Sequence, residues 1–134
     1  MYLVDTSALV RLYRRQVSQA WADEADGGVV MISEPVMVET MTIAEAKQYH
    51  DIERGLAKAY PWVTVPDGIW TMVKAIRHDL VKPSAYHGVS VADLVIAATA
   101  IRLKLTVLHE DADFETIARH VPELRQQRIS VEPA

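Results

Sequence analysis

Met1-Tyr2-Leu3-Val4-Asp5-Thr6-Ser7-Ala8-Leu9-Val10 opens the chain: an apolar triplet, an aspartate, two hydroxyl residues, then a return to apolar residues. Tyr2, Leu3 and Val4 read as a short buried strand. Past the aspartate the spacing changes, because Leu9, Val10, Tyr13, Val17, Ala20 and Trp21 recur at helical intervals. The pattern predicts one helix over 7–25, ended by Gly27-Gly28. A strand that turns at once into a helix is the first half of a βα unit. Further apolar runs bounded by turn residues mark strands at 29–32, 62–65, 106–109 and 129–131.

Helical patterns fill the intervals. Pro35 suits a first helical turn, with Val36, Ile43 and Ala44 carrying the stripe onward. Tyr49, Ile52, Leu56 and Tyr60 form the inward face of a helix that stops before Pro61, and Ile69, Val73, Ile76 and Leu80 that of one that stops before Pro83. A further helix begins near Ser90 and is apolar on nearly every side, as a helix packed within a core would be. Another starts near Phe114. Strands alternating with helices predict an α/β fold: three α/β/α layers around a central parallel sheet of about five strands, in one domain over 1–134. The loop from Lys82 to Gly88 leads towards Asp93 and is expected to border a site.

Half of the 134 residues are hydrophobic and 24% are charged, which is the composition of a globular domain. With no cysteine, disulfide scaffolds, thiolate zinc sites and cysteine nucleophiles are excluded, and a reducing cytoplasmic setting is expected. No signal peptide is read at the N-terminus. The longest late apolar run, 94–101, falls well short of the roughly 20 residues of a membrane span, so no membrane association is expected. The net charge of −4 is the wrong sign for a simple phosphate-binding surface. Five acids bear on that sign: of 18 acidic residues these leave 13, against 14 basic ones.

The five are Asp5, Glu39, Asp93, Asp111 and Asp113. Each has an ordinary explanation on its own. Asp5 sits where a strand becomes a helix and can be an N-cap, or Thr6 or Ser7 can cap while Asp5 binds an ion. Glu39 shares a helix stripe with Val36 and Ile43, and either faces solvent or is paired. Asp93 stands three residues after Ser90, at capping-box spacing, yet is flanked by Val91, Leu94 and Ile96. One N-cap accounts for one of Asp111 and Asp113 and leaves the other. Jointly the five stand at or beside strand ends that a parallel sheet gathers along one edge. Clustered carboxylates raise one another's pKa unless a cation sits among them. Mg²⁺ and Mn²⁺ prefer all-oxygen shells of this kind, and the five histidines show no ligand-like pairing that would suit zinc. His50, His78 and His120 read as surface residues, while His87 and His109 lie near the expected site and are candidates to touch substrate.

The order of these residues resembles the PIN-domain ribonucleases, in particular the compact VapC-like toxins of toxin-antitoxin pairs. The opening Tyr2-Leu3-Val4-Asp5-Thr6-Ser7 is like the family's first strand and acid; Ser33-Glu34-Pro35-Val36-Met37-Val38-Glu39 is similar to its second acidic segment. Ala92-Asp93-Leu94-Val95-Ile96-Ala97-Ala98 and His109-Glu110-Asp111-Ala112-Asp113-Phe114 resemble the third and the last. The resemblance implies an endoribonuclease whose five acids hold one or two Mg²⁺ or Mn²⁺ ions and which hydrolyses RNA with a metal-activated water. It implies further a homodimer and a cognate VapB-like antitoxin whose C-terminal segment covers the toxin groove. Thr6 and Ser7 are then supporting residues. For RNA, Arg11, Arg14 and Arg15 are candidate phosphate contacts, as are Arg77, Lys82 and Arg102, and Tyr86 and His87 are candidates to stack on an unpaired base.

Two phosphotransfer classes share the layout. A haloacid-dehalogenase-like enzyme needs a second acid two positions after the first, where this chain has Ser7. A receiver-like module also binds Mg²⁺ but requires a late lysine, and none lies between His109 and Phe114.

Overall fold

The computed structural model describes residues 1–134. Five parallel strands, β1 (Tyr2–Val4), β2 (Val30–Ser33), β3 (Trp62–Val63), β4 (Thr106–His109) and β5 (Arg125–Arg128), form one sheet in the order β3-β2-β1-β4-β5. The chain winds outward from β1 through β2 to β3, then crosses to the other side of β1 for β4 and β5. Because parallel crossovers share one hand, winding in opposite directions puts helices on both faces. The expected three-layer α/β/α architecture is therefore present, with seven helices: α1 (Thr6–Tyr13), α2 (Gln19–Asp26), α3 (Glu34–Met41), α4 (Tyr49–Ala59), α5 (Ile69–Asp79), α6 (Val91–Leu103) and α7 (Ala112–His120). No helix is long and apolar enough to cross a membrane.

The core is continuous. Leu3, Val4, Val107 and Leu108 of the two central strands are wholly buried, as are Ile96, Ala97, Ala98 and Ala100 of α6 and Phe114 and Ile117 of α7. The small residues of α6 suit a helix enclosed on most sides, because they let neighbouring elements approach closely without a bulky stripe to direct the packing. Trp21 is buried as well, edge-on to Tyr2 at 5.0 Å, and its indole N–H donates to the Val131 carbonyl at 2.8 Å, which ties the C-terminal tail to α2.

Several boundaries differ from the sequence expectation. The single helix over 7–25 is two helices. After Tyr13 the chain breaks, and Arg15 takes a left-handed conformation (φ 56°) before Ser18 caps α2 by accepting from the Trp21 amide. Apolar spacing carries across such a break because both helices bury residues in the same core. The stripe proposed through Ile43 also ends early: α3 stops at Met41, buries Val36, Met37 and Met41, and leaves Ile43 exposed. Strand β3 has two residues, not four. The last strand is the clearest miss, since β5 is Arg125–Arg128 and not 129–131. Its sequence, Arg-Gln-Gln-Arg, carries no apolar signal. Pairing with β4 alone makes it a strand, in the register His109 opposite Arg128.

A Leu108→Ala substitution should lower the unfolding free energy by about 2–5 kcal/mol in urea titrations, the cost of a cavity in a close-packed core. Leu103→Ala, at a position 44% exposed on α6, should cost no more than about 0.5 kcal/mol.

Candidate active site

The chain reverses its winding between β1 and β4, and at that switch point the ends of adjacent strands open into a crevice. Asp5 follows β1 directly, and its amide donates to the Leu108 carbonyl at 3.0 Å, extending the β1–β4 ladder to the acid itself. Asp111 and Asp113 lie just beyond β4, Glu39 lies on α3 after β2, and Asp93 lies in the first turn of α6. All five acids line one cleft of about 500 Å³, in which Arg11 is the single basic residue and Val10 the single hydrophobic one.

Within the cleft the acids have different settings. Asp5 is 3% exposed and caps α1: its Oδ1 accepts from the Ala8 amide at 2.9 Å. The Ser7 hydroxyl is 2.8 and 2.9 Å from the two Asp5 carboxylate oxygens, donates to them, and accepts from the Glu110 amide at 2.9 Å. Of the candidate caps, then, Asp5 itself does the capping, and Ser7 links the acid after β1 to the segment after β4. Thr6 Oγ1 donates to Glu39 Oε1 at 2.7 Å, which fixes the glutamate of α3 against the start of α1. Ser90 caps α6 by accepting from the Asp93 amide at 3.0 Å, leaving the Asp93 carboxylate free of that role. Asp111 caps α7 through Oδ1, which accepts from the Asp113 amide at 2.9 Å.

One carboxylate oxygen from each of Asp93, Asp111 and Asp113 lies within 4.8 Å of the others. Burial raises the Asp93 carboxyl, and the charges of Asp111, Asp113 and Asp5 add to it, so that its pKa is pushed up to about 7. Asp113 is raised too, by burial and then by Asp111, with a hydrogen bond from Asp93 opposing the shift. Asp5 is raised chiefly by burial, against the Ala8 and Ser7 hydrogen bonds that favour its charged form. By contrast, Glu115 is lowered by its bond to Arg128. For Glu110, bonds from Ser130 and Arg128 outweigh the burial that acts the other way. Arg128 therefore neutralises the pair flanking the site and not the site itself. Close, partly buried carboxylates with no histidine or cysteine among them fit a hard divalent cation. Asp93, Asp111 and Asp113 are the oxygens best placed to share one.

The remaining sequence candidates separate. Arg11 is half-buried in the cleft wall, with one guanidinium N–H donating to the Ser7 carbonyl at 3.1 Å. Arg14, which lines a neighbouring groove, and Arg15 lie outside the cleft. Tyr86 and His87 are exposed, with ring centroids 4.0 Å apart, just before Gly88, whose positive φ of 79° turns the loop along the cleft rim. His109 does not reach substrate: it is wholly buried, between Gln126 and the Asp111 amide. Sequence reasoning missed Gln126 and Arg128, which sit in the polar stretch that carried no strand signal.

A switch-point crevice ringed by acids from four separate segments defines a class, and residues 2–120 match the PIN domain family model. The chain belongs to the PIN-domain family and is a VapC-like member of it. It is 37% identical over 84 residues to Ribonuclease VapC6 of Mycobacterium tuberculosis, an alignment covering 63% of this chain and 66% of that one. With Ribonuclease VapC2 of the same organism it shares 32% identity over 119 residues, 87% of this chain and 84% of that one. Among solved structures, VapBC-1 of nontypeable Haemophilus influenzae superposes with a TM-score of 0.77 at 14% identity, over 97% of this chain and 98% of that one, a likeness of fold. The phosphotransfer alternatives find no support in these relationships, and Ser7, which stands where the dehalogenase-like class needs its second acid, is instead bound to Asp5.

A raised folded-state pKa makes the folded protein hold its proton more tightly than the unfolded chain does. The Asp93 contribution thus favours folding below about pH 4 and is lost as pH rises through about 7. In chelator, the melting temperature of the wild type should fall across that window. Asp93→Asn should remove much of the fall and melt higher than wild type at pH 8. Excess Mn²⁺ should raise the melting temperature of the wild type more than that of the variant.

Proposed function

We propose that the chain is a Mg²⁺- or Mn²⁺-dependent endoribonuclease, the toxin of a toxin-antitoxin pair. The observation that carries this reading is the Asp93, Asp111 and Asp113 cluster at the switch point, inside a cleft that Asp5 and Glu39 also line. Asp93, Asp111 and Asp113 would hold the cation, with Asp5 and Glu39 completing the acidic lining of the cleft. Bound there, a divalent ion would offset the carboxylate charge and would supply water activation for phosphodiester hydrolysis.

The chain's own groups do the rest. The Ser7 hydroxyl keeps Asp5 aimed through its contacts with both carboxylate oxygens, and the Thr6 hydroxyl holds one oxygen of Glu39. Arg11, as the single cation lining the cleft, binds the scissile or adjacent phosphate. Tyr86 and His87 at the rim offer π-faces to an unpaired base. Without a cation the cleft repels a polyanion, so metal and RNA binding reinforce each other.

The antitoxin, on this reading, lies in a groove of about 260 Å³ beside the cleft, where Leu9, Val10, Ile52 and Leu56 are flanked by exposed Tyr13 and Ile43. Val10 lines both the groove and the cleft, so a segment seated in one borders the other. The VapBC assemblies of similar fold support a partner of this type. A homodimer belongs to the same reading, with exposed apolar residues such as Trp70 and Val91 available for its interface.

Asp93→Asn should abolish divalent-dependent cleavage of a single-stranded RNA, with a loss above about 100-fold, since residues acting only from outside a metal site typically cost about 10–100-fold. Full activity of that variant, or of wild type in excess chelator, is the result that defeats the assignment. Arg11→Ala should weaken RNA binding across sequences and make the slope of log affinity against log salt shallower by about 0.7, the share of one phosphate contact on a single strand. An unchanged slope would remove Arg11 from the RNA path.

A further inference from the structure

His109 is the one fully buried ionisable side chain that the proposed chemistry leaves unused. It ends β4, two residues before Asp111, with its ring tilted 41° to that of Phe114 at 5.3 Å. The Asp111 amide donates to its Nδ1 at 3.0 Å. That nitrogen must therefore be a bare acceptor, and the ring hydrogen sits on Nε2, which donates to Gln126 Oε1 at 2.6 Å. The Asp111 carboxylate in turn accepts from the Asp113 amide at 2.9 Å. A continuous path thus runs from edge strand β5 to the cluster: Gln126, His109, the Asp111 amide, the Asp111 carboxylate, the Asp113 amide. Arg128 of the same strand and Ile129 just beyond it hold the segment further. Arg128 pairs with Glu110 at 3.1 Å and Glu115 at 2.6 Å, and the Ile129 amide donates to the His109 carbonyl at 2.8 Å.

We infer that His109 is a positioning residue for the cation site, with Gln126 fixing its tautomer and its Nδ1 acceptor setting the backbone from which Asp111 and Asp113 project. The inference rests on the nuclease reading for what the cluster binds. Outer partners of this kind orient ligands that they never replace, and their loss shows in metal affinity.

Two substitutions separate the halves of the imidazole. In His109→Asn an amide oxygen can take the place of Nδ1 and accept from Asp111, but nothing reaches Gln126. In His109→Gln the amide nitrogen can reach Gln126, but no acceptor faces Asp111. Mn²⁺ affinity, measured by electron paramagnetic resonance on the full chain, should stay within about threefold of wild type for His109→Asn and weaken about tenfold or more for His109→Gln. Thermal melts should show the two variants comparably folded. Equal affinities throughout, or equal losses in the two variants, would reduce His109 to a core residue and overturn the inference. If wild type binds Mn²⁺ no better than Asp93→Asn, the metal reading itself fails and this role with it. Tight binding by wild type with a flat His109 series defeats the inference alone.

Discussion

Pairing of β1 with β4 is the constraint on which everything else in the molecule depends. In sequence the two strands are about a hundred residues apart, yet they lie side by side at the centre of the sheet, with Leu3 opposite Val107 and Val4 opposite Leu108. Their register decides where Asp5 stands relative to Asp111. A slip of one residue would turn every side chain of the strand to the other face and separate the acids. The bond from the Asp5 amide to Leu108 and the bond from the Glu110 amide to Ser7 lock that register at its functional end. The apolar interior of the same two strands supplies the driving force.

This arrangement puts repulsion where the fold can bear it. Asp5, Asp93 and Asp113 all hold their protons more tightly than free carboxylates, so the acidic cleft is an electrostatic liability. Two local devices contain it. Helix N-termini at α1, α6 and α7 turn positive ends towards Asp5, Asp93, Asp111 and Asp113. Hydroxyls from Thr6 and Ser7 satisfy carboxylate oxygens without adding charge. Arg128 spends its charge on Glu110 and Glu115, and the cleft, with Arg11 as its one cation against five acids, keeps a net negative field.

Much of this was legible in the residues, and the parts that were not share a cause. Strands β1 and β4 and helices α5 and α6 announce themselves through apolar period and flanking turn residues, and Asp93 stands out because its neighbours on α6 are nearly all apolar. The five acids could be proposed as a group because strand ends of a parallel sheet converge. What sequence could not supply was anything decided by a neighbour in space. The break after Tyr13 is invisible to a periodicity that both helices satisfy. Strand β5 has no hydrophobic pattern because it is an edge whose inward side chains, Gln126 and Arg128, serve polar partners. His109 looked like a substrate contact because its place after β4 was right. Its burial could not be read without knowing that α7 and β5 close over it.

The two margins of the sheet also bear on how the protein keeps its own company. An exposed strand edge invites another chain to add to it, with fibrils or tangled oligomers as the end point. Here one margin is only two residues long, and the other is Arg-Gln-Gln-Arg. A short edge offers too few free amides to template a guest, and the other edge presents the exposed charge of Arg125, which disfavours a second copy of itself. Strand addition is thereby discouraged on both sides of the sheet.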